Sequence, residues 1–210
     1  MKKYFILLLI FSAFTSISLP QGMQLGLKAG LNLANVGGSD ADNLFETSLD
    51  SRTGFNGGLF FMYQFNNLFA IQPEAYYTMK GASKEISGAT ITLKLDYVEI
   101  PVLIKVVIPT AGTNLKPSLF VGPALAFNTG AKVKGEYQGQ SAETDIDSFV
   151  TSTDFSLIFG GGLGFMIGKN ELGVDIRYSL GLTSWDDETD PYDVKNNVLS
   201  FNAYFGFTLL

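Results

Sequence analysis

The sequence contains no cysteine and no histidine, and only 16% of its 210 residues are charged. Without cysteine there is no disulfide framework, thiolate nucleophile, zinc–thiolate site or lipid-anchoring thiol. Without histidine there is no Ser-His-Asp triad, no imidazole base and no His-ligated metal. Charge is scarce beside the roughly one quarter usual in soluble domains. What charge there is leans acidic, with 14 Lys and Arg against 20 Asp and Glu. A net charge of −6 excludes the clustered basic surface that nucleic acid requires. Beyond Gly22 no stretch approaches the ~20 continuous apolar residues of a spanning helix. Aromatics are abundant instead, with 18 Phe, 9 Tyr and one Trp, beside 23 Gly. Such a chain has either a very large dry core or a surface that does not face water.

The first segment reads as a targeting signal. Lys2 and Lys3 precede an apolar stretch of 11 residues, Tyr4 to Phe14, and small residues follow at Ser16 and Ser18. That order is the layout of a secretory signal peptide, assigned to residues 1–22 with cleavage between Ser18 and Met23. Residues 23–210 form one domain. Removing the two lysines leaves that domain with a net charge of −8.

From Gln24 onward the dominant period is two. Leu25, Leu27, Ala29, Leu31 and Leu33 share one face, and Gln24, Gly26, Lys28, Gly30 and Asn32 share the other, as on a strand. The pattern recurs at Gly54–Tyr63, Phe69–Met79, Ile91–Val107, Leu115–Phe127, Phe155–Ile167, Leu172–Leu182 and Val198–Leu210, eight strands in all. In the fourth, the apolar residues change parity between Tyr97 and Ile100, which a one-residue bulge near Val98 would reconcile. Connections alternate in length. Gln64–Asn67, Pro109–Asn114 and Gly168–Asn170 are short, whereas Ala34–Thr53, Lys80–Thr90, Asn128–Asp154 and Thr183–Asn197 are long and polar. The expected fold is all-β, an eight-stranded antiparallel up-and-down transmembrane β-barrel with both mature termini at the short-turn, periplasmic end.

Alternation does not say which face meets solvent. A soluble barrel turns its apolar face inward, whereas a membrane barrel turns it toward lipid and fills a narrow interior with small and polar residues. Here the polar faces carry Gly26, Gly30, Gly58, Gly122, Gly160, Gly162, Gly164, Gly173, Gly181 and Gly206. A crowded interior needs that many glycines, and a wetted surface does not. Arg on the lipid face at Val174 or Ile176 should therefore be far more damaging than Ser at inward Gly173.

The same parity sends Lys28, Glu74, Glu99, Lys105, Asp175 and Arg177 inward. Their charges cancel, which suits a neutralised network centred on Arg177 with Glu74 and Glu99. The competing reading is an ion path. Glu74 and Glu99 as an acid/base pair would need a substrate cleft that a filled lumen lacks. The last long loop carries Asp186, Asp187, Glu188, Asp190 and Asp193, a weak candidate for a hard cation without EF-hand spacing. Asp40, Asp42, Glu46 and Asp50 in the first loop read as a solvated surface. Tyr63, Phe69, Tyr97, Phe127, Phe165 and Trp185 suit interfacial girdles. No cofactor and no catalytic residue is expected.

Two motifs point to a family. Ile71-Gln72-Pro73-Glu74 with Tyr76-Tyr77 and Lys80-Gly81, and Leu95-Asp96-Tyr97-Val98-Glu99-Ile100-Pro101 running to Lys105, resemble strands three and four of PorT-like, "porin family" outer-membrane β-barrel proteins of the Bacteroidetes. Pro117 to Gly122-Pro123, Gly160-Gly161-Gly162 and Asp175-Ile176-Arg177-Tyr178 look like that family's later strands. The resemblance implies outer-membrane lipid and the barrel assembly machinery as partners, and envelope or secretion-complex proteins as further ones. It departs at the end of the chain, Phe207-Thr208-Leu209-Leu210, where such strands commonly finish in Phe or Trp. The expected role is structural, adhesive or within an envelope machine, and not enzymatic. The alternatives are a narrow channel and a soluble barrel binding an apolar ligand.

Overall fold

A computed structural model describes residues 22–37, 50–184 and 194–209. The alternating segments form β1 (Met23–Gly37), β2 (Asp50–Gln64), β3 (Phe69–Ile86), β4 (Ala89–Val107), β5 (Leu115–Tyr137), β6 (Gln140–Asp145), β7 (Thr153–Ile167), β8 (Asn170–Gly181) and β9 (Lys195–Thr208). Eight of them close an antiparallel ring in the order β1-β2-β3-β4-β5-β7-β8-β9, with β9 returning to β1. The ninth, β6, pairs only with the far end of β5 and stands outside the ring. Closure leaves the ring itself no open edge, which is what lets strands cross lipid without orphaned backbone groups.

The barrel is inside-out. On β1, Leu31 is 61% exposed while its neighbour Asn32 is fully buried. The same inversion holds around the ring: Leu59, Ile104, Leu119, Leu163, Val174 and Phe201 face out, and Glu74, Glu99, Asp175 and Arg177 are buried. A water-soluble barrel would reverse every one of these, so the soluble reading is set aside.

Crowding explains the inward glycines. A Cβ on Gly26 would lie 2.2 Å from the Phe60 ring, and one on Gly173 would lie 2.3 Å from the ring of Tyr204. The short connections gather at one end, together with Gly22 and Leu209. Gln64 N donates to Gly22 O at 3.0 Å, and Leu209 N to Met23 O at 2.8 Å.

Two expectations at the opposite end change. The stretch Lys80–Thr90 is not a long loop: β3 and β4 run on to a two-residue turn at Ser87 (φ 51°) and Gly88 (φ 82°). Both residues are left-handed, as the tightest hairpin turn demands. The region Asn128–Asp154 likewise contains a hairpin, β5 turning at Gln138 and Gly139 into β6, followed by a 3₁₀ turn at Asp147–Phe149.

The bulge expected near Val98 is absent from β4, whose inward residues alternate without a break through Leu95, Tyr97, Glu99, Pro101 and Leu103. The register shift lies on the facing strand, where Asp96 pairs with Gly130 but Tyr97 with Asn128, leaving Thr129 extra. The parity change in the sequence has another cause. Val98, Ile100 and Ile104 face out, whereas Leu95 and Tyr97 face in and pack against Ala126, Ala131 and Val150.

Candidate functional site

The lumen holds two ion clusters joined by a neutral polar layer. The lower one is built by β1, β3 and β8. Arg177 on β8 donates through Nη1 to Glu74 Oε2 (2.7 Å) and Nη2 to Glu74 Oε1 (3.2 Å), a bidentate pairing. Its Nε and Nη2 reach the Asp175 carboxylate at 3.1 and 3.2 Å. Lys28 completes the ring of charges, 2.7 Å from Glu74 and 3.0 Å from Asp175. Gln72 Nε2 donates to Glu74 and Asn202 Nδ2 to Asp175, each at 2.7 Å.

Missing side chains make these contacts possible. Lys28 lies opposite Gly58, and Gly58 opposite Tyr76, so nothing on β2 stands between Lys28 and β3. Gly160 lies between Phe120 and Arg177, which lets the guanidinium stack 5.3 Å from the Phe120 ring centre. Desolvating so many charges is costly unless each is paired and hydrogen-bonded, and here they are.

The neutral layer centres on Asn32. It donates to Thr78 Oγ1 (2.9 Å) and accepts from Asn56 Nδ2 (2.7 Å) and Ser200 Oγ (2.8 Å). Above it, Lys80 on β3 sits between Glu99 (3.4 Å) and Asp154 (3.2 Å), with its ammonium 5.0 Å above the Tyr97 ring. Ser156 Oγ donates to Glu99 at 3.1 Å, and Asn196 Nδ2 to Asp154 at 3.2 Å.

All six inward charges named from the sequence lie in the lumen, but not in one group. Glu99 pairs with Lys80, not with Arg177. Between them Tyr76 lies with its ring beneath the Arg177 guanidinium, at 5.9 Å. Glu74 and Glu99 therefore belong to separate clusters and form no acid/base pair. Lys105 faces inward, but among the described residues it meets no carboxylate within ion-pair distance; its Nζ lies 3.5 Å from Gln72 Oε1.

The sequence reading missed Lys80, Asp154, Glu171 and Arg52, all buried. Parity could have found the first two: Lys80 continues Glu74, Tyr76 and Thr78, and Asp154 continues Ser156 and Ile158. Among the described residues the buried charges are then Lys28, Arg52, Lys80, Lys105 and Arg177 against Glu74, Glu99, Asp154, Glu171 and Asp175, which balance. Among the described residues no group of three or more carboxylates is placed to hold a metal. Asp186, Asp187, Glu188, Asp190 and Asp193 lie outside the described residues, as do the proposed signal peptide up to Gln21 and Asp40, Asp42 and Glu46. Chemically the clusters hold no nucleophile beside a free base. They tie distant strands together across the lumen.

One protein-family model, described as "Outer membrane protein beta-barrel domain", matches residues 15–187. No curated protein matches the chain. Among solved structures, the chain is similar to Ail, the attachment invasion locus protein of Yersinia pestis, with 20% identity and a TM-score of 0.45 over 89% of this chain and 100% of that one. It is similar to Neisserial surface protein A, with 16% identity and a TM-score of 0.46 over 87% and 97% of the two chains. OprG from Pseudomonas aeruginosa gives 12% identity and a TM-score of 0.47 over 90% and 97%.

Proposed function

The chain belongs to the outer membrane protein β-barrel domain family, and on that premise we propose that it is a non-conducting integral barrel of the outer membrane. Its work is done at its ends, as a structural, adhesive or envelope-machinery component. The observation that carries this reading is the set of charged and aromatic side chains that meet inside the ring. Arg177, Glu74, Asp175 and Lys28 interlock across the bore, with Phe60, Tyr76, Phe120 and Tyr204 stacked around them. A barrel of eight strands has an interior just wide enough for side chains, which supports reading the bore as plugged by these groups.

In this reading both termini and the short turns face the periplasm, and the β3–β4 and β5–β6 hairpins project outside the cell. A PorT-like secretion role, suggested by the strand-three and strand-four motifs, is one form this could take. No step of enzymatic chemistry is assigned: among the described residues the Ser156 hydroxyl meets Glu99, a carboxylate already paired with Lys80.

Planar-bilayer recording of the purified barrel tests the proposal. The expected result is no conductance steps for the parent protein. Reproducible ohmic steps, with a selectivity altered by Arg177→Met, would favour the narrow-channel alternative. Affinity purification of the detergent-solubilised protein from its own cells should then recover an envelope protein.

A further inference from the structure

At the short-turn end the balance of charge breaks down. A cavity of about 320 Å³ opens there, lined by Gln24, Met62, Gln64, Lys116 and Lys169 among others. Above it the same Met62, Gln64 and Lys116 form a throat that ends at Lys105 and Ser118. Lys105 is 7% exposed and has no carboxylate partner among the described residues. Ser118 lines the throat with its Oγ buried and without a hydrogen-bond partner. Both residues sit on one face of adjoining strands, since Lys105 pairs with Phe120 and Val107 with Ser118.

The acidic group here is already engaged. Glu171 accepts from the Tyr204 hydroxyl at 2.8 Å and from Gln24 Nε2 at 3.4 Å, and Lys116 approaches it only to 3.9 Å. Among the described residues, Lys105, Lys116 and Lys169 thus face a single carboxylate. On a chain of net charge −6, a cavity mouth with a local excess of positive charge runs against the surroundings. Low-dielectric walls concentrate the field of such a mouth on whatever anion enters it.

We propose that this mouth is an oxyanion-binding vestibule, taking the phosphate or carboxylate group of a ligand at the short-turn end. The group seats against Lys116 and Lys169. Lys105 lies above the constriction, where it adds to the field and stops the anion from being repelled by the buried carboxylates beyond. The vestibule is blind, so it binds and does not conduct. Its existence does not depend on which way the barrel is inserted.

The test uses the ¹⁵N-labelled full-length mature barrel refolded in an uncharged detergent. Sodium phosphate and sodium acetate are titrated against sodium chloride at matched ionic strength. Saturable amide shifts confined to residues around Lys105, Lys116, Ser118, Lys169 and Glu171 are expected with the oxyanions and not with chloride. Lys116→Met should raise the half-saturation concentration on the order of tenfold, as the loss of one charged hydrogen-bond partner does. Lys116 has a partly exposed side chain, so this variant keeps the fold even if Lys105→Met does not. Equal shifts with chloride, or a Lys116→Met protein that titrates like the parent, would overturn the proposal. Nanodiscs of phosphatidylglycerol and of phosphatidylcholine separate the sources. If phosphatidylglycerol alone moves the same amides, a lipid headgroup is the ligand; if only added phosphate does, the ligand is a free oxyanion. Silence in both arms sinks the site.

Discussion

Within β4, two halves of one strand obey opposite rules. Around Ile100 the outward side chains are apolar and the inward ones include Glu99 and Lys105. Around Leu95 the inward side chains are apolar and the outward ones include Lys94 and Asp96. Leu95 is fully buried and Ile100 is 43% exposed, although both are aliphatic and five residues apart. The backbone alternates without interruption; the medium changes. Hydrocarbon surrounds the first half, so polar groups retreat into the lumen. Water surrounds the second, so apolar groups do. A strand that leaves a bilayer shows this reversal without any bulge, so the parity change in the sequence needs none in β4.

The largest effect should come from breaking the belt-level interior. Arg177→Met leaves the buried Glu74 and Asp175 sharing Lys28, and removing one member of such a buried set costs ~3–5 kcal/mol. The temperature at which the barrel loses its compact band on an unboiled gel should fall accordingly. Adding Glu74→Gln should recover part of the loss, and adding Glu99→Gln should not, because Glu99 answers to Lys80. Recovery by Glu99→Gln instead would mean that the two clusters act as one.

Next is the belt exterior. Ile100→Arg places a charge on the lipid face at a cost of ~2–4 kcal/mol near mid-depth. Ile91→Arg, on the same strand but beyond the lipid belt, should stay within about 0.5 kcal/mol, as for an ordinary surface change. Folding yield into vesicles measures both. Equal losses would erase the distinction between the two halves of β4. Val174→Arg and Ile176→Arg on β8 should behave as Ile100→Arg does.

Gly173→Ser comes third, and here the sequence expectation of a mild effect needs revision. The added Cβ would meet the Tyr204 ring at 2.3 Å and push it off its hydrogen bond to Glu171. Overpacking of this kind costs ~1–3 kcal/mol. The same gel assay should place Gly173→Ser between Ile100→Arg and the parent. A melting point equal to the parent's would show that the lumen yields more readily than its contacts imply.

How much of this was legible follows from what alternation can carry. It identifies a face, so the eight ring strands, the short-turn end and the inward set from Lys28 to Arg177 could be read directly. It does not identify a neighbour across the lumen. Whether Arg177 meets Glu99 or Asp175 depends on the stagger of strands around the ring, which is a property of closure. Polar stretches also read as loops where the chain forms hairpins. Lys80 and Asp154 lie in such stretches, although Ser87-Gly88 and Gln138-Gly139 are two-residue turns with glycine in second place, as tight hairpins favour.

The smallest effect lies where water screens everything. Beyond the belt, Glu143 on β6 accepts from Lys94 Nζ at 2.6 Å and lies 3.1 Å from Lys132 Nζ, tying β6 to β5 and β4. The hydrogen bond from Lys94, then that from Lys132, holds the Glu143 carboxyl below its ordinary value. A depressed carboxyl stabilises the folded hairpin above the usual carboxylate range and loses that contribution as pH falls through its own lowered value. The group is exposed, so the consequence is local. Glu143→Gln should leave the barrel's melting point unchanged while weakening the cross-strand contact between Lys132 and Asp145 at every pH. In the parent, that contact should weaken only on acidification. NMR cross-strand NOEs in the β5–β6 hairpin, followed from neutral to acidic pH, measure it. If Glu143→Gln instead lowered the melting point as far as Gly173→Ser does, the hairpin would be part of the barrel's cooperative unit. The contrast between a belt held by buried ion pairs and a projection held by screened ones would then fail.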